Sequence, residues 1–130
     1  ADAYISMGRG PEALGIRRDA AKKWPSEPEV QNAFGTQLVH RGALDEAIDV
    51  FTGITTAKPA DALGFFNLGR AYHLRYLRLQ QNVAASRLRQ PTALGDEDRK
   101  KAAAAYLRHI ELKGQFEKEA REALSQLEWK

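Results

Sequence analysis

The feature that most constrains this chain is a repeat. A shift of 34 residues brings like onto like from the first residues to about residue 75. Gly8 meets Gly42, Gly35 meets Gly69, and Pro25 meets Pro59. Ala13 meets Ala47, Phe34 meets Leu68, and Ala20 meets Ile54. Tyr4, Leu38 and Tyr72 form one series at the same step. Self-similarity at such a period marks stacked supersecondary units.

One unit, residues 28–61, shows what the units are. Phe34 and Leu38 precede Gly42, and Leu44, Ala47, Phe51 and Ile54 follow it, with helical spacing inside each run. Asp45 and Glu46 fall in the first turn of the second run, where carboxylates favour the helix dipole. Gly35 and Ala47 are small enough to let two antiparallel helices approach closely. Phe51 is expected to fill the space between this hairpin and its neighbour. Pro59 stops the second helix, since it lacks a donor and biases Lys58 away from helical geometry. A hairpin this short cannot bury its apolar face alone, so the units must stack. The expected fold class is all-α.

The run Phe34-Gly35-x-x-Leu38-x-x-x-Gly42-x-Leu44-x-x-Ala47-x-x-x-Phe51-x-x-Ile54-x-x-x-x-Pro59 resembles one nearly complete tetratricopeptide repeat. A second begins with Phe65-x-x-Leu68-Gly69-x-x-Tyr72, and a partial one precedes both through Tyr4, Gly8, Ala13, Ala20 and Pro25. The resemblance covers residues 1–75 in register and 96–114 out of register. It implies a right-handed superhelical stack of antiparallel helix hairpins, an α-solenoid of this type. The expected division is a partial repeat (1–27), a full repeat (28–61), a repeat with an insertion (62–114) and a capping helix (115–130).

The second repeat departs from the pattern. Its helical text continues through Tyr76, Leu79, Val83 and Leu88 to Pro91. The return helix is expected over Asp96 to Lys113, capped by Asp96, with Glu97 and Asp98 in its first turn and Ala102, Tyr106 and Ile110 as its apolar stripe. If Tyr106 fills the place that Phe51 fills one repeat earlier, about 21 residues are inserted, over 76–94. The spacing favours a helix extended to about Gln81, then an irregular return. A kink near Asn82 and a loop carrying a short helix are the alternatives. Gly114 marks a helix terminus. Phe116 to Trp129 reads as a last amphipathic helix, with Ala120, Ala123, Leu124 and Leu127 inward and Lys118, Glu119, Arg121, Glu122 and Glu128 wet. At the other end the chain opens inside what would be a first helix, as in a domain excised from a longer protein. No basic-then-apolar leader opens it, and the compartment is left open.

Composition narrows the chemistry. There is no cysteine, which excludes disulfides, iron–sulfur clusters, thiolate zinc sites and a cysteine nucleophile. The longest apolar run is about six residues, far short of the roughly 20 that cross a bilayer. The net charge of +3 is uneven: residues 62–95 hold five arginines (Arg70, Arg75, Arg78, Arg87, Arg89) and no acid. His109 reads as a half-buried structural side chain. His40 and His73 fall near the ends of the first helices of adjacent repeats, and two imidazoles alone make no zinc site. No nucleophile elbow, dinucleotide fingerprint or phosphate loop occurs. The expectation is no enzyme, no metal and no cofactor.

Function is therefore sought in binding. In the resembled family the first helices of successive repeats line a groove for an extended peptide or a partner helix. Here those positions hold Glu29, Asn32, Thr36, Val39 and His40, then Leu63, Phe66, Asn67, Arg70 and His73. Lys118 and Arg121 complete the wall if the last helix continues the series. Phe66 is expected as the apolar anchor and Arg70 as the charge partner of an acidic group. The carboxylate clamp of some relatives is incomplete. Asn67 holds one asparagine position and Lys118 can hold a lysine position, but Asn32 and Thr36 replace a lysine and an asparagine, and Glu122 stands where an arginine is expected. The leading expectation is a non-catalytic module that binds a protein or peptide. The alternatives are homo-oligomerisation through Tyr76, Leu79, Val83 and Leu88, and a nucleic-acid surface on the basic segment.

Overall fold

A computed structural model describes residues 10–85 and 93–129, with side chains from 14–82 and 95–129. The described regular structure is entirely helical. Six helices follow in order: α1 Gly10–Lys23, α2 Pro28–His40, α3 Leu44–Ala57, α4 Ala62–Ala85, α5 Ala93–Glu111 and α6 Glu117–Gln126. Each packs on the next in the chain, and α2 also packs on α4. Of the segment expected as a partial repeat, residues 1–27, the structure describes only the part from α1 onward. Tyr4, Gly8 and the opening of the chain lie outside the described residues.

Local chemistry ends the helices where it must. After α2, Gly42 takes φ of +80°. Its N–H donates to the Val39 carbonyl at 2.9 Å, and the Ala43 N–H donates to that of Leu38 at 2.9 Å. This left-handed cap satisfies carbonyls that the helix leaves unpaired. The same pattern closes α5 and α6, but there the left-handed residues are Lys113 (φ 58°) and Glu128 (φ 55°). Gly114, expected as the terminator of α5, is instead needed for close approach: a Cβ on it would collide with the His109 ring. Asp61 caps α4 by accepting the Gly64 N–H at 3.1 Å. Gln31 donates to the Ala21 and Trp24 carbonyls at the end of α1, at 2.9 and 3.3 Å.

Helix α4 is 24 residues long, against 13 for α2. The expected extension is therefore real. It runs past Asn82 unbroken to Ala85, four residues beyond the expected Gln81, in keeping with the helix propensity of Ala84 and Ala85. The expected irregular return, with Arg87, Leu88, Arg89 and Pro91, lies outside the described residues. Helix α5 starts at Ala93, three residues before the expected cap, so Asp96 sits in its first turn instead of capping it.

Two clusters form the core. Phe34, Leu38, Ala47, Phe51 and Ile54 gather Ala21 and Ala71 between α1 and α4. Phe66, Ala102, Ala103, Tyr106, Ala120, Ala123 and Leu127 join α4, α5 and α6. Tyr72 packs against both. Phe51 and Tyr106 each lie over a glycine of the preceding helix. A Cβ on Gly35 would overlap the Phe51 ring, and one on Gly69 would come within 3.0 Å of the Tyr106 ring.

Of the arginines of residues 62–95, Arg75 is neutralised by acids from two other helices. Arg75 donates to both oxygens of buried Asp98, at 2.7 and 2.8 Å, and to Asp45 at 2.9 Å. These bonds hold its guanidinium charged well above the ordinary arginine range. Arg78 donates to the Gly42 carbonyl at 3.1 Å. Arg99 closes α6 by donating to the Leu127 and Glu128 carbonyls, at 2.8 and 3.2 Å. Among the described residues, no helix is long and apolar enough to cross a membrane.

Candidate binding groove

Helical spacing puts Glu29, Asn32, Ala33, Thr36 and Gln37 on one stripe of α2, and Leu63, Phe66, Asn67, Arg70, His73, Leu74 and Leu77 on one stripe of α4. In α6, Glu119, Glu122, Ala123 and Gln126 share a face in the same way. All three stripes line one groove of about 1230 Å³, with Arg17 and Glu27 at its edge and Tyr106 in its wall. Alternate helices thus build one surface. Asn32, Thr36, Phe66, Asn67, Arg70 and His73 were all expected there and all line it.

Four expected residues do not. His40 ends α2 exposed and outside the groove lining. Val39 packs against the first core instead. Lys118 and Arg121 are exposed on the far side of α6, where Arg121 pairs with Glu117 at 3.1 Å. Their neighbours Glu119 and Glu122 occupy the wall. One residue turns a helix by about 100°, so Ala120, Ala123 and Leu127, anchored in the core, rotate the lysine and arginine out and the two glutamates in. The wall expected to be basic is acidic.

Phe66 is not a free anchor. It is 8% exposed, stacks on Phe116 at 4.8 Å and meets Tyr106 edge-on at 5.9 Å. The open apolar surface belongs to Leu74 and Leu77, 37% and 42% exposed, about two and three turns further along α4. Nothing in the repeat pattern marks them, because the pattern records only residues that pack.

Asn32 and Asn67 are buried and joined. Asn67 Nδ2 donates to Asn32 Oδ1 at 2.9 Å, and Asn32 Nδ2 donates to Asp61 Oδ2 at 3.0 Å. The two asparagines therefore fasten α2 to α4, with the cap of α4 as the third member. His73 Nδ1 lies 3.1 Å from the Tyr106 hydroxyl. Burial holds the His73 imidazole below its ordinary pKa and the Tyr106 phenol above its own. With His73 buried on Tyr106 and His40 exposed elsewhere, the expected pair of imidazoles does not assemble in the groove.

His109 is structural, and fully buried where half-burial was expected. Its Nδ1 lies 2.6 Å from the Ala62 carbonyl, and its Nε2 accepts the Phe116 N–H at 3.1 Å. The carbonyl requires a proton on Nδ1 and the amide requires a lone pair on Nε2, which fixes the neutral tautomer. The ring clips the start of α4 to the turn before α6. Of the side chains expected for self-association, Tyr76 packs into the second core, Leu79 is half-buried, and Val83 and Leu88 lie outside the described side chains. Among the described residues no group of three or more histidines and acids is placed to hold a metal.

Compared with known proteins, the sequence matches no protein-family model and no curated protein.

Proposed function

We propose that this chain is a non-catalytic interaction module of the tetratricopeptide-repeat type, stacked as a right-handed superhelix, that binds a peptide or a segment of a partner protein. The observation that carries this reading is the single groove lined by α2, α4 and α6, with Leu74 and Leu77 open between polar walls. Its size suits a peptide better than a small metabolite. The packing of Phe51 on Gly35 and of Tyr106 on Gly69 supports the repeat reading, because ring-on-glycine contacts recur at equivalent places of the two hairpins. A nucleic-acid surface has less support: Arg75 and Arg78 are engaged inside the molecule, and the groove carries carboxylates.

The test is selection from a displayed random-peptide library against the intact chain, then against a Leu74→Ser/Leu77→Ser variant. Both positions are exposed, so circular dichroism should be unchanged. The selected peptides are expected to lose the variant. A library that yields no binder, or binders that hold the variant equally well, would overturn the groove.

A further inference from the structure

We infer that the groove is built for a basic peptide, one whose lysine or arginine side chains face α6 and the start of α2 while its apolar side chains cover Leu74 and Leu77. The inference rests on the peptide-groove reading above and names the chemistry of the occupant.

Charge is the first argument. Glu27, Glu29, Glu119 and Glu122 line the groove against Arg17 and Arg70. None of these six makes an ion pair among the described residues. Four carboxylates against two guanidiniums leave an excess of two negative charges, before the half-buried Asp61 is considered. An acidic peptide or a phosphate backbone would meet repulsion there, and a cationic segment would be drawn in.

Hydrogen-bond polarity points the same way by a separate route. The Asp61 carboxylate only accepts, so the Asn32 amide nitrogen must face it. Asn32 Oδ1 then accepts from Asn67 Nδ2. This order leaves Asn67 Oδ1 as the end of the chain, with no donor among the described residues. Every fully buried side-chain nitrogen or oxygen among the described residues has a partner, so this oxygen keeps some exposure although Asn67, which lines the groove, is only 8% exposed. A nine-tenths buried side chain thus presents an unmatched acceptor to the groove. Carboxylates and an amide oxygen together call for an occupant rich in N–H donors.

Three labelled dodecapeptides test this. They share one pattern of leucines and carry lysine, glutamine or glutamate at the remaining positions. The lysine peptide is expected to bind roughly tenfold or more tightly than the glutamate peptide. Its advantage should shrink as salt rises from about 50 to about 500 mM. Glu119→Lys/Glu122→Lys should reverse the order of the two charged peptides without changing the circular dichroism. If the glutamine or glutamate peptide binds as well as the lysine one, and Leu74→Ser/Leu77→Ser still abolishes binding, the basic occupant is wrong and the groove stands. If the leucine variant leaves all three peptides unaffected, the groove reading itself falls. If the unliganded chain sediments as a dimer that the leucine variant dissociates, the occupant is a second copy, and the basic peptide is again excluded.

Discussion

Gly35 and Gly53 both lie inside helices, yet their surroundings ask opposite things of them. A methyl group at Gly35 would overlap the ring of Phe51, itself 1% exposed, while nothing lies within 4 Å of the place a Cβ would take at Gly53. Gly35→Ala is expected to destabilise by roughly 1–3 kcal/mol through overpacking. Gly53→Ala should stabilise by about 0.5–1 kcal/mol by removing backbone freedom from the unfolded chain. Urea unfolding of the two variants checks both signs; a stabilising Gly35→Ala would contradict the packing. His73 sets a second expectation. Its folded pKa lies below the unfolded value of about 6.5, so the unfolded chain binds more protons between the two values. The His73 contribution is constant above about pH 6.5 and is lost as pH falls toward the lowered value. A His73→Gln variant should therefore lose less stability than the parent over that window. Parallel unfolding curves for the two would remove burial of His73 as the cause.

Between elements, the ion pairs of Arg75 join three helices. It ties α4 to α5 through Asp98, which is 1% exposed, and to α3 through Asp45. Arg75→Ala leaves a buried carboxylate without its partner and is expected to cost about 3 kcal/mol or more. An Arg75→Met/Asp98→Leu pair should recover most of that loss, because two apolar groups need no partner. Denaturant midpoints of the single and double variants decide it; equal losses in both would show that packing, not the stranded charge, sets the cost. Sequence alone could mark Asp98 only as a first-turn acid, since the partner lies 23 residues away across a connection of irregular text. The register of α6 was hidden for a related reason. Lys118, Glu119, Arg121 and Glu122 all read as wet, and only the burial of Ala120, Ala123 and Leu127 against α4 and α5 decides which pair faces the groove.

At the scale of the whole molecule, α4 is the one helix among the described residues that serves both cores. Phe66 belongs to the second cluster, Ala71 to the first, and Tyr72 touches each. Helices α1 and α6 each pack chiefly on one neighbouring helix, so the ends have the least support. Amide hydrogen exchange should be slowest in the middle of α4 and fastest in α1 and α6, with α2, α3 and α5 between. Protection in α1 or α6 equal to that of α4 would mean that the molecule opens as a single unit.

Helical spacing in the sequence determined the helices, their turns and most of the buried side chains, because side chains on a buried face must recur at the period of the helix. Phe34, Leu38, Ala47, Phe51, Ile54 and Tyr106 could be named for the core from spacing alone, and all are buried. Thr36, Asn67, Arg70 and His73 could be expected in the groove only from the family resemblance, and all four line it. Tertiary structure decided what spacing does not encode. It set which acid neutralises Arg75, left Leu74 and Leu77 uncovered, and turned Glu119 and Glu122 inward. A periodic pattern fixes the angle of a residue about its own helix, but the charge of a surface shared by three helices depends on how each is rotated against the others.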